Sequence, residues 1–222
     1  MGRAQQSNVT SPSAVLRPRT KRSERTRAAL MQEARTVFSR TGFHDAKIAD
    51  IVEGANLAHG TFYTHFDSKE EIFLAVLGDV LEESFAVTGG VDTGGSTAPI
   101  DRIDVASRRY LEFYASNARV LASIDQLATG DERFASLRRK TRRAYIDRTA
   151  AAIGRWQGQG LADQNVDAEQ LAAALGAMAE RMAYLGCVFH DGPTDIDEML
   201  AVSNHVWASA LGLEQRTPTT TR

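Results

Sequence analysis

Apolar residues in this chain recur at the three-to-four-residue spacing of helices, and no segment shows the strict alternation of a half-buried strand. The fold class this predicts is all-α. Leu30, Ala34, Val37 and Phe38 form one stripe on a helix over about 23–41, which Gly42 should stop because glycine accepts a left-handed backbone. Ile48, Ile51, Val52 and Ala55 repeat the pattern on a shorter helix. Asn56 follows, where a tight turn needs positive φ and asparagine tolerates it. A third short helix is expected over about 58–66, with Phe62 and Phe66 turned inward. Ser68 and Glu71 read as a capping box opening the fourth: Ser68 bonds the Glu71 backbone and the Glu71 carboxylate reaches back.

The stretch 88–99 carries four glycines and no large apolar residue, so it should be a loop. Its glycines follow no strand and end in no GK[ST], which argues against a phosphate cradle. Five more helices are expected at about 100–117, 119–129, 131–157, 167–188 and 194–213, for about nine in all. Gly158-Gln159-Gly160 and Asp191-Gly192-Pro193 supply breaks, and 214–222 reads as a flexible tail.

With 222 residues, burial alone can hold the fold. Cys187 is the only cysteine, so neither an intramolecular disulfide nor a multi-thiolate metal site can form, and a reducing interior fits. The first 22 residues lack the apolar core of a signal peptide, and no stretch approaches the ~18 uninterrupted apolar residues of a membrane span. A cytoplasmic location, with no membrane partner, is expected. Met1-Gly2 does not open a myristoylation motif, since Gln6 stands where Ser or Thr is needed. The net charge is −2, yet Met1 to Arg27 holds seven basic residues against Glu24 alone. A basic arm over 1–22 on a near-neutral body is a footprint of polyanion binding, and equally the composition of a solvated tail.

Two short helices joined by a tight turn and braced by a first helix have the size of a helix-turn-helix. In that unit the second helix presents its N-terminal residues to base edges in the major groove. Here those are Ala58, His59, Gly60 and Thr61. A glycine inside a helix costs up to ~1 kcal/mol relative to alanine, so Gly60 suggests close approach of something to the backbone. Tyr63, Thr64 and His65 carry donors suited to phosphate oxygens, and Lys69 adds a point charge beside a positive helix end. His59 and His65, six apart, share no face, so no metal site is expected. Absence of G-x-S-x-G, dinucleotide and H-E-x-x-H motifs argues against an enzyme, and no cofactor is implied. From these residues alone a second reading stays open: an α-helical small-molecule binder or enzyme with a vestigial helix-turn-helix.

From Arg25 to Leu77 the chain resembles the DNA-binding segment of the TetR family of regulators. TGF after the first helix, ADIVEGA in the second, GTFYTHF in the third and SKEEIFLAVL in the fourth match in order and spacing. The resemblance implies a helix-turn-helix domain over 23–67 with Lys47 and Ala58–His65 facing double-stranded operator DNA, and with Tyr63, His65 and Lys69 mainly on phosphates. It also implies a repressor released from a palindromic operator by a small lipophilic or amphipathic effector. Two departures stand out: the family usually has Thr at one of the positions of Ala46 and Lys47, and Ser at that of Ala58, an N-cap whose loss costs about 0.5–2 kcal/mol.

Residues 68–213 should then bind a ligand and dimerise. Leu171, Leu175, Met178, Met182 and Leu185 form one stripe, and Ile196, Leu200, Ser203, Trp207 and Ala210 another. Small residues between them allow close approach, and the resemblance implies a four-helix homodimer interface. The same stripes could instead close a monomeric core. Candidate pocket residues are Tyr110, Phe113, Tyr114, Ile124, Arg138, Arg142, Tyr145, Met178 and Trp207. Residues 141–212 also resemble the ethionamide-resistance type of repressor, a subgroup with a lipophilic channel. Arg138 and Arg142, however, stand where that channel is apolar. Turned inward they would suit an acidic lipid or acyl thioester; turned outward they belong to a solvated basic face with Arg139, Lys140 and Arg143.

Overall fold

The computed structural model describes residues 21–90, 98–189 and 194–213, and all regular structure among them is helical. Most of the basic arm, the glycine-rich connection from 91 to 97, the Asp191-Gly192-Pro193 break and the 214–222 tail lie outside the described residues.

The first helix, α1 (Lys21–Asp45), buries Leu30, Ala34, Val37 and Phe38. It breaks at Gly42, whose φ of 77° and ψ of 176° lie in a region nearly closed to other residues. The break turns Phe43 into the core, where its ring lies 4.9 Å from that of Phe73. The next two helices, α2 (Ile48–Gly54) and α3 (His59–Phe62), are joined by a turn in which Asn56 takes φ 54°. The third is shorter than the expected 58–66. After Phe62 the chain tightens into i→i+3 bonds, Thr64 to Thr61 and His65 to Phe62, which carry Phe66 back to the core.

The fourth helix, α4 (Lys69–Val87), starts as its cap requires, with Ser68 accepting from the Glu71 amide at 3.2 Å. The return bond differs by one residue: the Glu71 carboxylate accepts from the amide of Asp67. Pro99 opens α5 (Pro99–Gly130), where its fixed φ and missing N–H cost nothing. This one element replaces two expected helices, so eight rather than nine are present among the described residues. The division survives as a bend, with Asn117 at φ −123° and ψ 17°. Aspartates cap the rest: Asp131 for α6 (Glu132–Gly158), Asp167 for α7 (Ala168–Val188) and Asp195 for α8 (Ile196–Ala210).

Two apolar cores result. The larger joins α1–α4 to α5 on both sides of its bend, through Leu111, Tyr114, Val120, Leu121 and Ile124, to Phe134 of α6, and to Ala183 and Leu200. Buried side chains therefore cross the 67/68 boundary, and the small N-terminal unit is seated on the body rather than tethered to it. The second core gathers Ile103, Ile153, Ala162, Ala172 and Leu211, with Trp156 and Trp207 packed against it. By length and composition α7 is apolar enough to cross a membrane. It carries Glu180, which pairs with arginines of α6, and it buries Ala172, Leu175 and Ala183 within the protomer.

Candidate nucleic-acid interface

The reading segment rests on two fully apolar feet. Phe62 is 0 % and Phe66 2 % exposed, with ring centroids 5.9 Å apart, and this fixes which way α3 faces. The opposite side is left outward: Ala58, His59, Gly60, Tyr63 and Thr64 are exposed, Thr61 and His65 half-buried. Tyr63 keeps half its surface in solvent while its ring leans on His59 at 5.6 Å. Lys47 is exposed at the N-cap of α2. Ala58 takes the extended N-cap conformation with no side-chain bond, as expected where alanine replaces a capping residue. Gly60 has open space where a side chain would stand, since a Cβ built there meets nothing beyond its own stretch of chain within 4 Å.

Two basic residues brace this segment. Lys69 is not a charge held out to solvent, as the sequence suggested. Its ammonium donates to the carbonyls of Phe43, His44 and Ala46 at 2.8, 3.1 and 3.0 Å and lies 4.6 Å from the Phe43 ring centroid. All three donors of a lysine are thereby engaged, gathering the carbonyls that the Gly42 break leaves exposed. The ammonium expected to be free for phosphate is thus held within the fold, behind the reading segment. Arg27 stacks on Phe66 at 4.8 Å, and its Nε is buried with no partner among the described residues. Lys21, Arg22 and Arg25, all exposed, sit within two turns of it.

The body differs more from expectation. Arg138 pairs with Asp125 and, at 3.1 Å, with Glu180, which also takes Arg142 at 3.2 Å. The arginines thus belong to an ionic cluster stitching α5, α6 and α7, and neither the inward reading nor the purely solvated one holds. Tyr110 and Tyr114 lie 6.0 Å apart, and burial, with Glu180 nearby, raises both phenols above the usual tyrosine range. The Tyr145 hydroxyl is 2.8 Å from that of Ser84. Ile124 is buried and Met178 half-buried, whereas Trp207 belongs to the second core and does not join the tyrosines. Burial raises the Cys187 thiol, which leaves little of the thiolate a nucleophile needs. An open groove of about 1110 Å³ runs along the α1–α4–α5 seam, and of the candidate pocket residues only Phe113 lines it.

Of the expected dimer stripes, Leu175 and Leu200 are 4 % and 3 % exposed and turn to the protomer's own core, whereas Leu171, Met178, Met182 and Trp207 are half-buried. The outward residues are Ala174, Gly176, Ala177, Leu185 and Val188 on α7 and Ala201, Val202 and His205 on α8, with Phe189 just beyond α7 at 65 % exposure.

A short helix with a polar outer rim, set on aromatic anchors behind a tight turn and braced by a basic first helix, defines a helix-turn-helix DNA-binding regulator. Comparison with known proteins agrees. Residues 30–76 match the family described as bacterial regulatory proteins, tetR family, and residues 105–211 match the C-terminal domain of the transcriptional regulator EthR. The HTH-type transcriptional regulator EthR of Mycolicibacterium smegmatis is 24% identical over 213 residues, covering 91% of this chain and 96% of that protein. EthR of Mycobacterium tuberculosis is 23% identical over 189 residues, 85% and 88% of the two chains. Among solved structures, a regulator from Saccharomonospora viridis in complex with choline has a TM-score of 0.70 at 20% identity, over 82% of this chain and 95% of that one. The fatty acid degradation regulator FadR from Bacillus halodurans has a TM-score of 0.69 at 15% identity, over 86% and 97%. The chain belongs to the TetR family of transcriptional regulators, and its body resembles that of EthR.

Proposed function

We propose that this regulator is a homodimeric, cytoplasmic repressor that reads a palindromic operator and is released from it by a small lipophilic or amphipathic effector, without catalysing a reaction. The observation carrying the reading is the outer face of α3. His59, Gly60 and Tyr63 are exposed on a segment whose inner residues are fully buried. In this reading Ala58–Thr61 meet base edges. Lys47, Tyr63, Thr64 and His65 meet phosphates, while Lys69 and Arg27 hold the segment in place.

Dimerisation is supported by the apolar and small residues left outward on α7 and α8, because a two-fold operator needs an isologous pair of readers. The effector belongs with Tyr110, Phe113, Tyr114 and Tyr145 between α4, α5 and α6, where aromatic surface and buried hydroxyls suit an amphipathic guest. The choline complex of a structural neighbour supports small-molecule control in this architecture.

Selection of binding sequences from random duplex tests the reading. The expected result is a symmetric site with two half-sites about 34–36 Å apart, or a multiple of that spacing. Equal retention of all duplexes at physiological salt would overturn it.

A further inference from the structure

Hydrogen bonds tie α1 of the reading unit to α5 of the body at two places. Arg35 Nη2 donates to Asn117 Oδ1 at 3.1 Å, and His44 Nε2 meets Gln126 Oε1 at 3.2 Å. Both ties join residues 82 apart, so α1 and the second part of α5 run parallel and in register over nine residues. Along α5 that is about 13 Å of helix.

The first tie falls on the bend of α5. Asn117 is 7 % exposed, departs from helical φ/ψ, and donates its amide to the Phe113 carbonyl at 2.9 Å. A side chain bonding into the helix ladder is a recognised cause of kinks. Arg35 in turn pairs with Glu83 of α4 at 2.8 Å. One guanidinium therefore joins three elements: α1 of the reader, α4 that leads out of it, and the point where α5 changes direction.

Beside this junction the seam is an open groove lined by polar side chains, among them Gln32, Thr36 and Ser39 of α1 and Glu112 and Ser116 of α5. Phe113 and Val87 add apolar surface to the groove, and beneath it Leu111 and Tyr114 of the first part of α5 join the same core as Leu30, Ala34, Val37 and Phe38 of α1. Up-chain of the bend lie Tyr110, Phe113 and Tyr114; down-chain, α5 travels with α1.

We propose that Arg35 and Asn117 are positioning residues: their clasp sets the angle of the reading unit on the body, and through it the distance between the two recognition segments of a dimer. The proposal rests on the dimeric reading above. A swing of about 15° over a lever of about 13 Å displaces its end by about 3.4 Å, one base-pair step. Loosening the clasp then relaxes the spacing preference of the protein, while contacts to bases and phosphates within each half-site stay as they were.

The test uses the full-length protein and the duplex selected by it, together with duplexes in which one base pair is added to or removed from the spacer. Wild type should prefer its own spacing by more than about tenfold, a coupling of ordinary size. Asn117→Ala and Arg35→Met should each bind that spacing about tenfold more weakly, with the preference over the altered spacers falling below about threefold. The double variant should lose no more than the worse single, as expected of partners in one interaction. If Arg35→Met fails to fold, Arg35→Lys supplies the same readout, since it keeps a charge for Glu83 but lacks the fork that also reaches Asn117. Parallel losses on all three spacers, which a merely structural role would give, overturn the proposal, and so does an unchanged preference. A wild-type protein that selects no duplex with two half-sites removes the dimeric reading and this proposal with it.

Discussion

Replacing Gly60 by alanine separates what the fold needs from what DNA needs. Elsewhere a Cβ would meet neighbours: one at Gly54 would lie 2.6 Å from the Glu33 carboxylate and one at Gly186 2.5 Å from Met199 Sδ, both flexible side-chain ends, while Gly42 is required by its φ of 77°. At Gly60 there is no such neighbour within 4 Å, and its φ is not in the left-handed region. In the unbound protein the extra methyl therefore meets no obstacle, and it lowers the entropy lost on ordering this residue. Helix propensity puts the gain at up to about 1 kcal/mol. For a chain of this size that raises the melting temperature by about 2–4 °C. On DNA the sign reverses. If the groove wall lies against the glycine backbone, a methyl inserted there costs about 1–3 kcal/mol, as overpacking does in a closed core. The dissociation constant of the specific duplex should then rise about 5- to 150-fold. Calorimetric melting and fluorescence anisotropy at one fixed salt concentration measure the two effects. An alanine variant that binds as well as wild type would refute the reasoning, because the glycine would then lack both an internal and an external reason.

Lys69→Met removes three charge-assisted bonds at the Gly42 break and should cost about 2–3 kcal/mol, lowering the melting temperature by about 5–10 °C with the salt dependence of DNA binding unchanged. A drop of about one unit in the salt slope with unchanged melting would restore a direct phosphate contact. His59→Ala should shift preference at particular base pairs by about 1–3 kcal/mol, and equal loss on specific and random duplex would remove it from base reading. Burial raises the Tyr110 and Tyr114 phenols in the folded state. The stability this represents is complete below the ordinary tyrosine pKa of about 10 and is lost as pH climbs from there towards the folded values. Urea midpoints should therefore fall above about pH 10, and Tyr110→Phe with Tyr114→Phe should flatten that fall; an identical alkaline profile in the double variant would contradict it.

What could be read from the sequence was local. The stripe from Leu30 to Phe38, the stop at Gly42, the left-handed turn at Asn56 and the cap at Ser68 each depend on residues within a few positions. The structure has them as the spacing implied. The misread features depend on partners far away. Asn117 could be seen to interrupt a helix, but not that α5 continues past it, because the Phe113 bond and the Arg35 tie hold the bend without ending the element. Lys69 looked like a charge aimed outward because the carbonyls that capture it lie 23 to 26 positions earlier. Periodicity marked Leu175 and Leu200 as apolar-face residues without distinguishing a face turned to its own core from one turned to another chain. Of the small residues that the sequence offered for close approach on α7, Ala174, Gly176 and Ala177 face outward.

The cluster around Glu180 also narrows what the body can bind. Arg138 and Arg142 carry two positive charges, and Asp125 and Glu180 carry two negative ones in contact with them, so the group is balanced as it stands. An acidic head group entering here must either displace Glu180, which would leave that carboxylate without its two partners, or sit beside it and meet its charge. Removing one partner from a partly buried ion pair costs more than an exposed pair contributes, since the remaining charge keeps its desolvation. The nearby phenols are raised by burial and by Glu180 itself, so this region already disfavours added negative charge. Electrostatics thus argues against the acidic lipid or acyl thioester that the arginines alone suggested. A guest with an apolar body and a neutral or cationic head, held by the aromatic rings and the Tyr145 and Ser84 hydroxyls, meets no such penalty.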